Sequence, residues 1–451
     1  MQIMTMTTID ATYQDIFKTV NGKVYLAALT KVDKLTSGQS FLYGKQGAHS
    51  MVIDIRLTEP IDQSILQQAL NHALKRYPYL TSKMVLKNSS YFLAYNKLPM
   101  VVTQTEELRR LGGPETNFHL VDVTFDQQRL FVSYHHALAD GRGIMPFVNT
   151  LLYDYFSIKN QQFPEIPGIN LDDDPMEPDE IGEPFEYLPP VNANSADIPE
   201  IDHHGHQLIE TKYHLNDRSY RHELVIDQAS FMKYAKAHDA TPAIAVSIMV
   251  SQAIQQIYPD ISDPIVTNMA SDLRSGIMNE HTFRNCVGSV ALPINTEVLT
   301  DDQFTEAATH FRSLIRAHKA QKSLRVEANK MACLFKHLDN LSTFTEKQKM
   351  MAFIDHVLLN TFVLSYSGQT KLGKYESYID EMHTYMSGTN GLSIEMLATN
   401  GKIFVDMSQS FNSDVYAVTL AKILRRNGIK YQLGEPTYFK TPVDELAKGD
   451  R

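Results

Sequence analysis

The sequence has very little cysteine. Its 451 residues contain only Cys286 and Cys333, which are far apart in the chain and have no CxxC partner. A disulfide framework and a cysteine-rich zinc site are therefore excluded, and a reducing compartment is the expected environment. Cys286 has no basic residues around it in sequence that would mark it as a nucleophile.

Basic charge and long apolar runs are also missing. The chain has 42 Lys and Arg against 52 Asp and Glu, a net charge of −10, which argues against a nucleic-acid partner. No apolar run approaches the roughly 18 residues that span a bilayer. The first residues lack the basic segment and apolar stretch of a signal peptide. We expect a cytoplasmic protein with no membrane span.

Signatures for nucleotides and metals are absent or weak. Neither a GxxxxGK[ST] loop nor a GxGxxG turn occurs, so no bound cofactor is expected. The stretch DHHGH at 202–206 is interpreted as a polar linker edge, because no cysteine or spaced carboxylates accompany it. A metal-dependent phosphohydrolase could also contain HHxxxD, but it needs further His and Asp ligands that the sequence does not supply. We therefore expect no metal site.

Composition divides the chain into two halves. Residues 170–200 are rich in Asp, Glu and Pro, and proline disfavours both helix interiors and central strands. We interpret 171–205 as a linker or crossover between an N-terminal lobe, 1–170, and a C-terminal lobe, 206–451. Both halves mix strand and helix patterns, which predicts an α+β (mixed α/β) fold.

Hydrophobic periodicity and end signals predict the main elements. Helices are expected over 59–77, 144–156, 228–238, 242–258, 302–320 and 414–426. Strands are expected over 82–87, 91–95, 117–125, 129–134, 222–226, 263–270, 286–294, 360–367, 392–398 and 402–409.

The most informative stretch is SYHHALADGRG at 133–143, between a predicted strand and a predicted helix. Adjacent side chains on a strand point to opposite faces, so His135 and His136 have different environments. A neutral imidazole can accept and return a proton near pH 7, which suits acyl transfer. A lone histidine near a strand is more often structural, but the complete pattern with Asp140 and Gly141 favours function.

HHALADG resembles the HHxxxDG signature of the superfamily that contains chloramphenicol acetyltransferase, condensation domains of nonribosomal peptide synthetases, polyketide-associated acyltransferases and alcohol acetyltransferases. The resemblance extends over most of the chain, through looser matches at ALNHALKRYPYL (69–80), 271–295 and 361–373. The DFGWG segment of the plant branch is absent, and the chain has no Trp. In these two respects the sequence is more similar to the bacterial condensation-like and alcohol-acetyltransferase-like branches than to the plant branch.

The resemblance implies a role for each residue of the motif. His136 corresponds to the catalytic base, and His135 to a structural residue behind the loop. Asp140 corresponds to an aspartate that pairs with an arginine of the second half, for which Arg274 is the candidate. Gly141 would let the loop turn. Ser365, Ser367 and Asn285 are the candidates for donors to the oxyanion or the donor substrate.

The resemblance also implies the architecture and the reaction. Two chloramphenicol acetyltransferase-like lobes would form a V with an active-site tunnel between them. An acyl group would pass from acyl-CoA, or from the phosphopantetheinyl thioester of an acyl or peptidyl carrier protein, to a hydroxyl or amine of a small-molecule acceptor. The length favours a monomer. The alternatives are a non-catalytic condensation-like scaffold that binds a carrier protein or ligand, and a stand-alone condensation enzyme that forms an amide.

Overall fold

The computed structural model describes residues 33–43, 50–186, 188, 204–213, 219–277, 279–295, 300–357, 360–387 and 391–439. The helices of this part of the chain are α1 Gln63–Arg76, α2 Gly141–Asn160, α3 Gln228–Ala237, α4 Pro242–Ile257, α5 Asp301–His318, α6 Gln321–Asn340, α7 Phe344–Val357 and α8 Val415–Arg426. The strands are β1 Asp33–Lys34, β2 Ser50–Leu57, β3 Ser82–Lys87, β4 Ser90–Tyr95, β5 Thr103–Gln104, β6 Val121–Asp126, β7 Arg129–His135, β8 Ser219–Asp227, β9 Ile265–Asp272, β10 Val287–Ile294, β11 Phe362–Gln369, β12 Ile379–Met386, β13 Leu392–Thr399, β14 Lys402–Gln409, β15 Tyr431–Leu433 and β16 Thr437–Phe439.

The predicted fold class is confirmed: the protein is α+β and has two lobes. Within the described residues, the first lobe contains a five-stranded sheet in the order β12-β2-β7-β6-β5 and a small sheet in the order β1-β4-β3. The second lobe contains the order β10-β9-β11-β13-β14-β8-β15, with β16 also on β8. Helices α1 and α2 pack together and share a hydrophobic core with the first sheet, and α4 contacts α8 and strands β9 and β11 of the second sheet.

The strongest helix predictions match the structure because their end signals are local. Asp62 precedes α1 and accepts hydrogen bonds from the backbone N–H groups of Ser64 and Ile65. Thr241 caps α4 in the same way, and Pro242 occupies the first helical position. Helix α4 is buried along nearly its whole length, so it forms the centre of the second lobe's core.

Some elements differ from the sequence-based expectation. The strand expected over 117–125 begins only at Val121, because Asn117 and Phe118 both have positive φ and form a turn. Helices α6 and α7 were not anticipated. Strand β12 was missed because the polar residues of IDEMHTYM, which include the adjacent acids Asp380 and Glu381, do not alternate regularly with apolar residues. Those residues are satisfied by partners from other strands, including the contacts of Glu381 with Arg56 and of His383 with Asp406.

The division into lobes is not a simple cut of the chain. Strand β12 comes from the second half but pairs antiparallel with β2 in the first sheet. Part of the predicted linker is also packed into the protein. Glu180 forms a buried ion pair with Arg76, with oxygen and nitrogen 2.6 Å apart. Residues 187 and 189–203 of that linker lie outside the described residues.

No helix in the described ranges is long and apolar enough to cross a membrane.

Candidate active site

The histidine motif lies where β7 ends and α2 begins. His135 is the last residue of β7, and the next residues turn into Asp140, which caps α2. The Asp140 Oδ1 accepts a hydrogen bond from the backbone N–H of Gly143 at 2.8 Å. A Cβ added at Gly143 would lie 1.8 Å from the carbonyl oxygen of Phe283, whereas one at Gly141 would meet only Ser367 Oγ, at 3.7 Å. The steric demand for glycine therefore falls on Gly143, which the sequence analysis did not single out.

Asp140 connects this loop to the second half of the chain. Arg274 Nη2 donates to Asp140 Oδ1 at 2.8 Å, and the backbone N–H of Cys286 donates to Asp140 Oδ2 at 2.9 Å. Both side chains of the ion pair are about 2% exposed. Arg274 also donates to the carbonyl oxygens of Thr282 and Arg284 at 2.9 and 2.7 Å. The pair thus clamps the start of α2 onto segment 282–286.

His135 and His136 lie in different environments, because His135 ends β7 and His136 begins the turn that follows it. His135 is buried, and its Nδ1 accepts a hydrogen bond from the backbone N–H of Ala137 at 3.2 Å. This contact lies inside the turn and holds its shape. His136 keeps part of its surface accessible.

Asn285 holds the His136 ring in one orientation. Its Nδ2 donates to the carbonyl oxygen of His136 at 2.7 Å, which turns its Oδ1 toward the imidazole. That Oδ1 lies 3.0 Å from His136 Nδ1. Because an amide oxygen can only accept, Nδ1 is the protonated nitrogen of the neutral ring. The second nitrogen, Nε2, then carries the lone pair.

Phe41 covers one face of the same imidazole. The two rings are stacked, with centroids 3.6 Å apart and an angle of 8° between their planes. Gly38 makes the approach possible, because a Cβ there would lie 2.2 Å from the Ala137 carbonyl oxygen. Asn285 and Phe41 together leave the imidazole little rotational freedom.

Segment 33–43, which carries Phe41, is anchored by buried charges. The Glu183 carboxylate accepts hydrogen bonds from the backbone N–H groups of Thr36 and Ser37 at 3.2 to 3.3 Å. Arg284 bridges Glu183 and Asp33, at 3.2 and 2.8 Å. The sequence analysis missed this segment. Its only local signal is the sequence SGQSF, which is not specific.

Burial sets the protonation of the groups around the motif. It lowers the pKa of His136 below the usual 6.5, against smaller opposite effects of its own backbone, Asp140 and Asn285. The ring is therefore neutral at pH 7. Burial also raises the pKa of the Cys286 thiol well above its usual range, so Cys286 stays a neutral thiol.

The two candidate serines lie on β11. Ser365 is partly buried and pairs in register with Glu395 of β13, and Ser367 is exposed beside Gly141. Neither hydroxyl makes a hydrogen bond to His136 within the described ranges. Asn285, the third candidate donor, has both amide atoms engaged with His136.

Among the residues that the structure describes, no three His, Cys, Asp or Glu side chains are grouped so as to hold a metal ion. Of the DHHGH stretch, Asp202 and His203 lie outside those residues.

The fold has known counterparts. The structure of polyketide synthase associated protein 5 from Mycobacterium tuberculosis superposes with a TM-score of 0.61 at 13% identity, over 87% of this chain and 96% of that one. The first condensation domain of the CDA synthetase superposes with a TM-score of 0.55 at 13% identity, over 88% of this chain and 95% of that one. F. graminearum TRI101 complexed with coenzyme A and T-2 mycotoxin gives 0.53 at 12% identity, over 89% and 99%.

The resemblance found in the sequence is thus confirmed at the level of the fold. A scan of protein-family models and a search of curated proteins find no match.

Proposed function

We propose that this chain, which has the fold of condensation domains and CoA-binding acetyltransferases, is an acyltransferase that uses a thioester donor. One observation carries the proposal. His136 is neutral at pH 7, its Nδ1 is tied to Asn285, and its Nε2 is left as the one basic nitrogen of the ring. That is the form of imidazole that general base catalysis requires.

The proposed reaction uses His136 Nε2 as its base. His136 Nε2 takes the proton from an acceptor hydroxyl or amine as the oxygen or nitrogen attacks the thioester carbonyl carbon. A tetrahedral intermediate forms, with a negative charge on the former carbonyl oxygen. The carbon–sulfur bond then breaks, and the proton on Nε2 passes to the departing thiolate. The products are an ester or amide and a free thiol, and the imidazole returns to its neutral form.

The other residues of the motif position this imidazole. Asn285 and Phe41 fix the ring, and the ion pair of Asp140 with Arg274 fixes the loop that carries it. His135 holds the turn through the N–H of Ala137. None of these roles requires contact with substrate.

The oxyanion needs hydrogen-bond donors. We assign this role to the hydroxyls of Ser365 and Ser367 rather than to Asn285. The Asn285 amide nitrogen already donates to the His136 carbonyl, whereas the two serines lie on the strand beside the start of α2. Variants Ser365→Ala and Ser367→Ala would separate their contributions, since loss of one oxyanion donor costs about 100- to 1,000-fold in kcat.

The donor is acyl-CoA or an acylated carrier protein, and the acceptor is a small molecule. Support for CoA comes from the TRI101 structure, which is complexed with it. Support for a carrier-bound donor comes from the similarity to a condensation domain of a synthetase.

The decisive experiment measures thiol release. The purified protein receives acetyl-, medium- and long-chain acyl-CoA with pooled alcohols and amines, next to the variants His136→Ala and His310→Ala. His310 is an exposed residue of α5 and serves as the matched histidine control. We expect release that requires an acceptor, is lost in His136→Ala and is unchanged in His310→Ala.

Two other outcomes have clear meanings. Equal rates in His136→Ala and the wild type would refute the catalytic role of His136. Silence with every CoA donor, followed by transfer from an acylated carrier protein, would identify the carrier as donor. Silence with both would favour the non-catalytic scaffold.

A further inference from the structure

One face of the second-lobe sheet is turned toward the first lobe. Along β13, alternate residues such as Ile394 and Met396 belong to the core of the second lobe. Ser393, Glu395 and Leu397 lie on the opposite face, and Leu397 is part of the first lobe's core. Glu395 therefore points to the region where the two lobes meet.

This is also the region of the histidine motif. Ser365 on β11 lies beside Glu395 in register, and Ser367, two residues further, lies next to Gly141 at the start of α2. Tyr134 lies on β7, two residues before His136. Burial raises the pKa of Tyr134 well above its usual range, and the charges of Asp140 and Glu395 add to that shift.

Glu395 has an unusual environment for a carboxyl group. It is 4% exposed, and its Oε1 accepts a hydrogen bond from Ser393 Oγ. Its Oε2 is buried and has no hydrogen-bond partner within the described residues. A buried carboxyl normally has its oxygens satisfied or has a cation beside it, because desolvation of the charge is costly.

The neighbouring cation does not fill that role. Arg221 on β8 donates its hydrogen bonds to Asp406, at 2.7 and 2.9 Å, and pairs with Glu223 at 2.9 Å. On the adjacent strand β14, Ser408 lies in register with Ser393, and its hydroxyl is likewise buried without a partner in the described part of the chain. Glu395 Oε2 and Ser408 Oγ thus form a small buried polar cluster, next to β12, whose oxygens have no hydrogen-bond partner among the described residues.

We propose that Glu395, with Ser393, binds a protonated amine of the acceptor substrate while another hydroxyl or amine of that substrate is acylated at His136. Burial keeps the Glu395 carboxyl protonated near pH 7 while no cation is present. An ammonium group would supply the N–H donor for Oε2 and the positive charge that stabilises the ionised carboxylate. The substrate class is then an amino alcohol or diamine. This inference rests on the proposed acyltransferase function.

The test compares matched acceptors and matched variants. Amino alcohols from 2-aminoethanol to 6-aminohexanol are set against diols of the same chain length, with kcat and KM measured for each. Glu395→Gln keeps the shape and an oxygen acceptor for Ser393. Asp154→Asn is the control, because Asp154 is another buried acid with an unpartnered oxygen but lies about 20 Å along α2 from the motif.

In Glu395→Gln, we expect kcat/KM for the preferred amino alcohol to fall about 100-fold, mainly through KM, as for loss of one member of a buried charge pair. The values for diols should change less than about threefold, and Asp154→Asn should change neither series. Equal losses for amino alcohols and diols, or no loss, would overturn the proposal and leave Glu395 a structural residue.

Calorimetric binding separates this proposal from the proposed reaction. Amino alcohols should bind wild-type protein and His136→Ala equally, and Glu395→Gln more weakly, even if no acyl transfer is detected with any donor. Transfer to diols alone, with no amino alcohol bound, would refute the amine site while the acyltransferase function stands.

Discussion

Replacement of Arg274 by methionine should destabilise the protein and inactivate it together. Arg274 is 1% exposed and donates to the carbonyl oxygens of Thr282 and Arg284 and to the carboxylates of Asp140 and Asp272. Methionine fills much of the same volume but removes the charge and all of these hydrogen bonds. The Asp140 carboxylate would then stay buried with backbone donors only.

The expected magnitude follows from these contacts. Loss of one partner of a buried ion pair costs about 3–5 kcal/mol, because the remaining charge is uncompensated. Asp140 keeps the N–H groups of Gly143 and Cys286, which favours the lower half of that range. The two carbonyls that lose their donor add about 1 kcal/mol each. We therefore expect a loss of about 5–6 kcal/mol in the free energy of unfolding.

Urea denaturation followed by circular dichroism and by tyrosine fluorescence would measure this loss, and coincident transitions would justify a two-state fit. Arg312→Met is the control, because its pair with Asp239 is exposed and should contribute less than about 1 kcal/mol. Acyl transfer by Arg274→Met should fall at least tenfold even without urea, where the variant is still folded. The reason is that the ion pair with Asp140 no longer fixes the histidine loop. A loss below about 1 kcal/mol in the free energy of unfolding would refute the reasoning. The reasoning would also fail if the losses of Arg274→Met and Asp140→Asn were additive in the double variant, because two residues that pair should show a coupling energy.

Four further predictions follow from the site. The pKa of His136 lies below 6.5, so kcat/KM should be constant near pH 7 and should fall only when the pH drops toward this pKa. An acid limb above pH 7 in the rate profile would contradict this prediction. Asn285→Leu should lower kcat about tenfold or more, whereas Asn285→Asp should retain a ring acceptor and move the acid limb to higher pH. In native protein a thiol reagent should modify the exposed Cys333 rapidly and the buried Cys286 only after unfolding, so one thiol per chain is expected to react before denaturant is added. Burial raises the pKa of Glu395 from 4.5 to about 8, so between these pH values the folded protein holds a proton that the unfolded chain releases. The free energy of unfolding should therefore fall by about 1.4 kcal/mol for each pH unit in this range. Urea titrations at pH 6 and pH 8 should show a smaller fall for Glu395→Gln than for the wild type.

Residues of the motif show how far sequence patterns reach. The position of His136 at a strand end and the capping role of Asp140 follow from local signals. The end of the strand, the turn and the start of the helix all lie within residues 133–143. The partner of Asp140 was named as Arg274 through a resemblance, over a separation of 134 residues. No pattern in the sequence itself marks that pairing.

Other features had no local signal. Phe41 stacks on His136 from a segment almost a hundred residues earlier, and Gly38 permits the approach only because of where Ala137 lies. Glu395 falls in a strand that the sequence does predict, yet its lack of a cation partner depends on Arg221 being engaged with Asp406. The sequence of β12 resembles a polar segment, and only the tertiary structure shows that its polar residues pair with side chains of other strands.

The amino-acid sequence by itself determined the elements with strong periodicity and caps, the mixed α+β class and the histidine loop, because these depend on interactions between residues close in the chain. The tertiary structure alone decided which nitrogen of His136 faces Asn285, which glycine is sterically required and which buried acid has an oxygen without a hydrogen-bond partner among the described residues. Each of these depends on distances between segments that are far apart in the chain, and such distances are set by packing of the whole molecule rather than by local pattern.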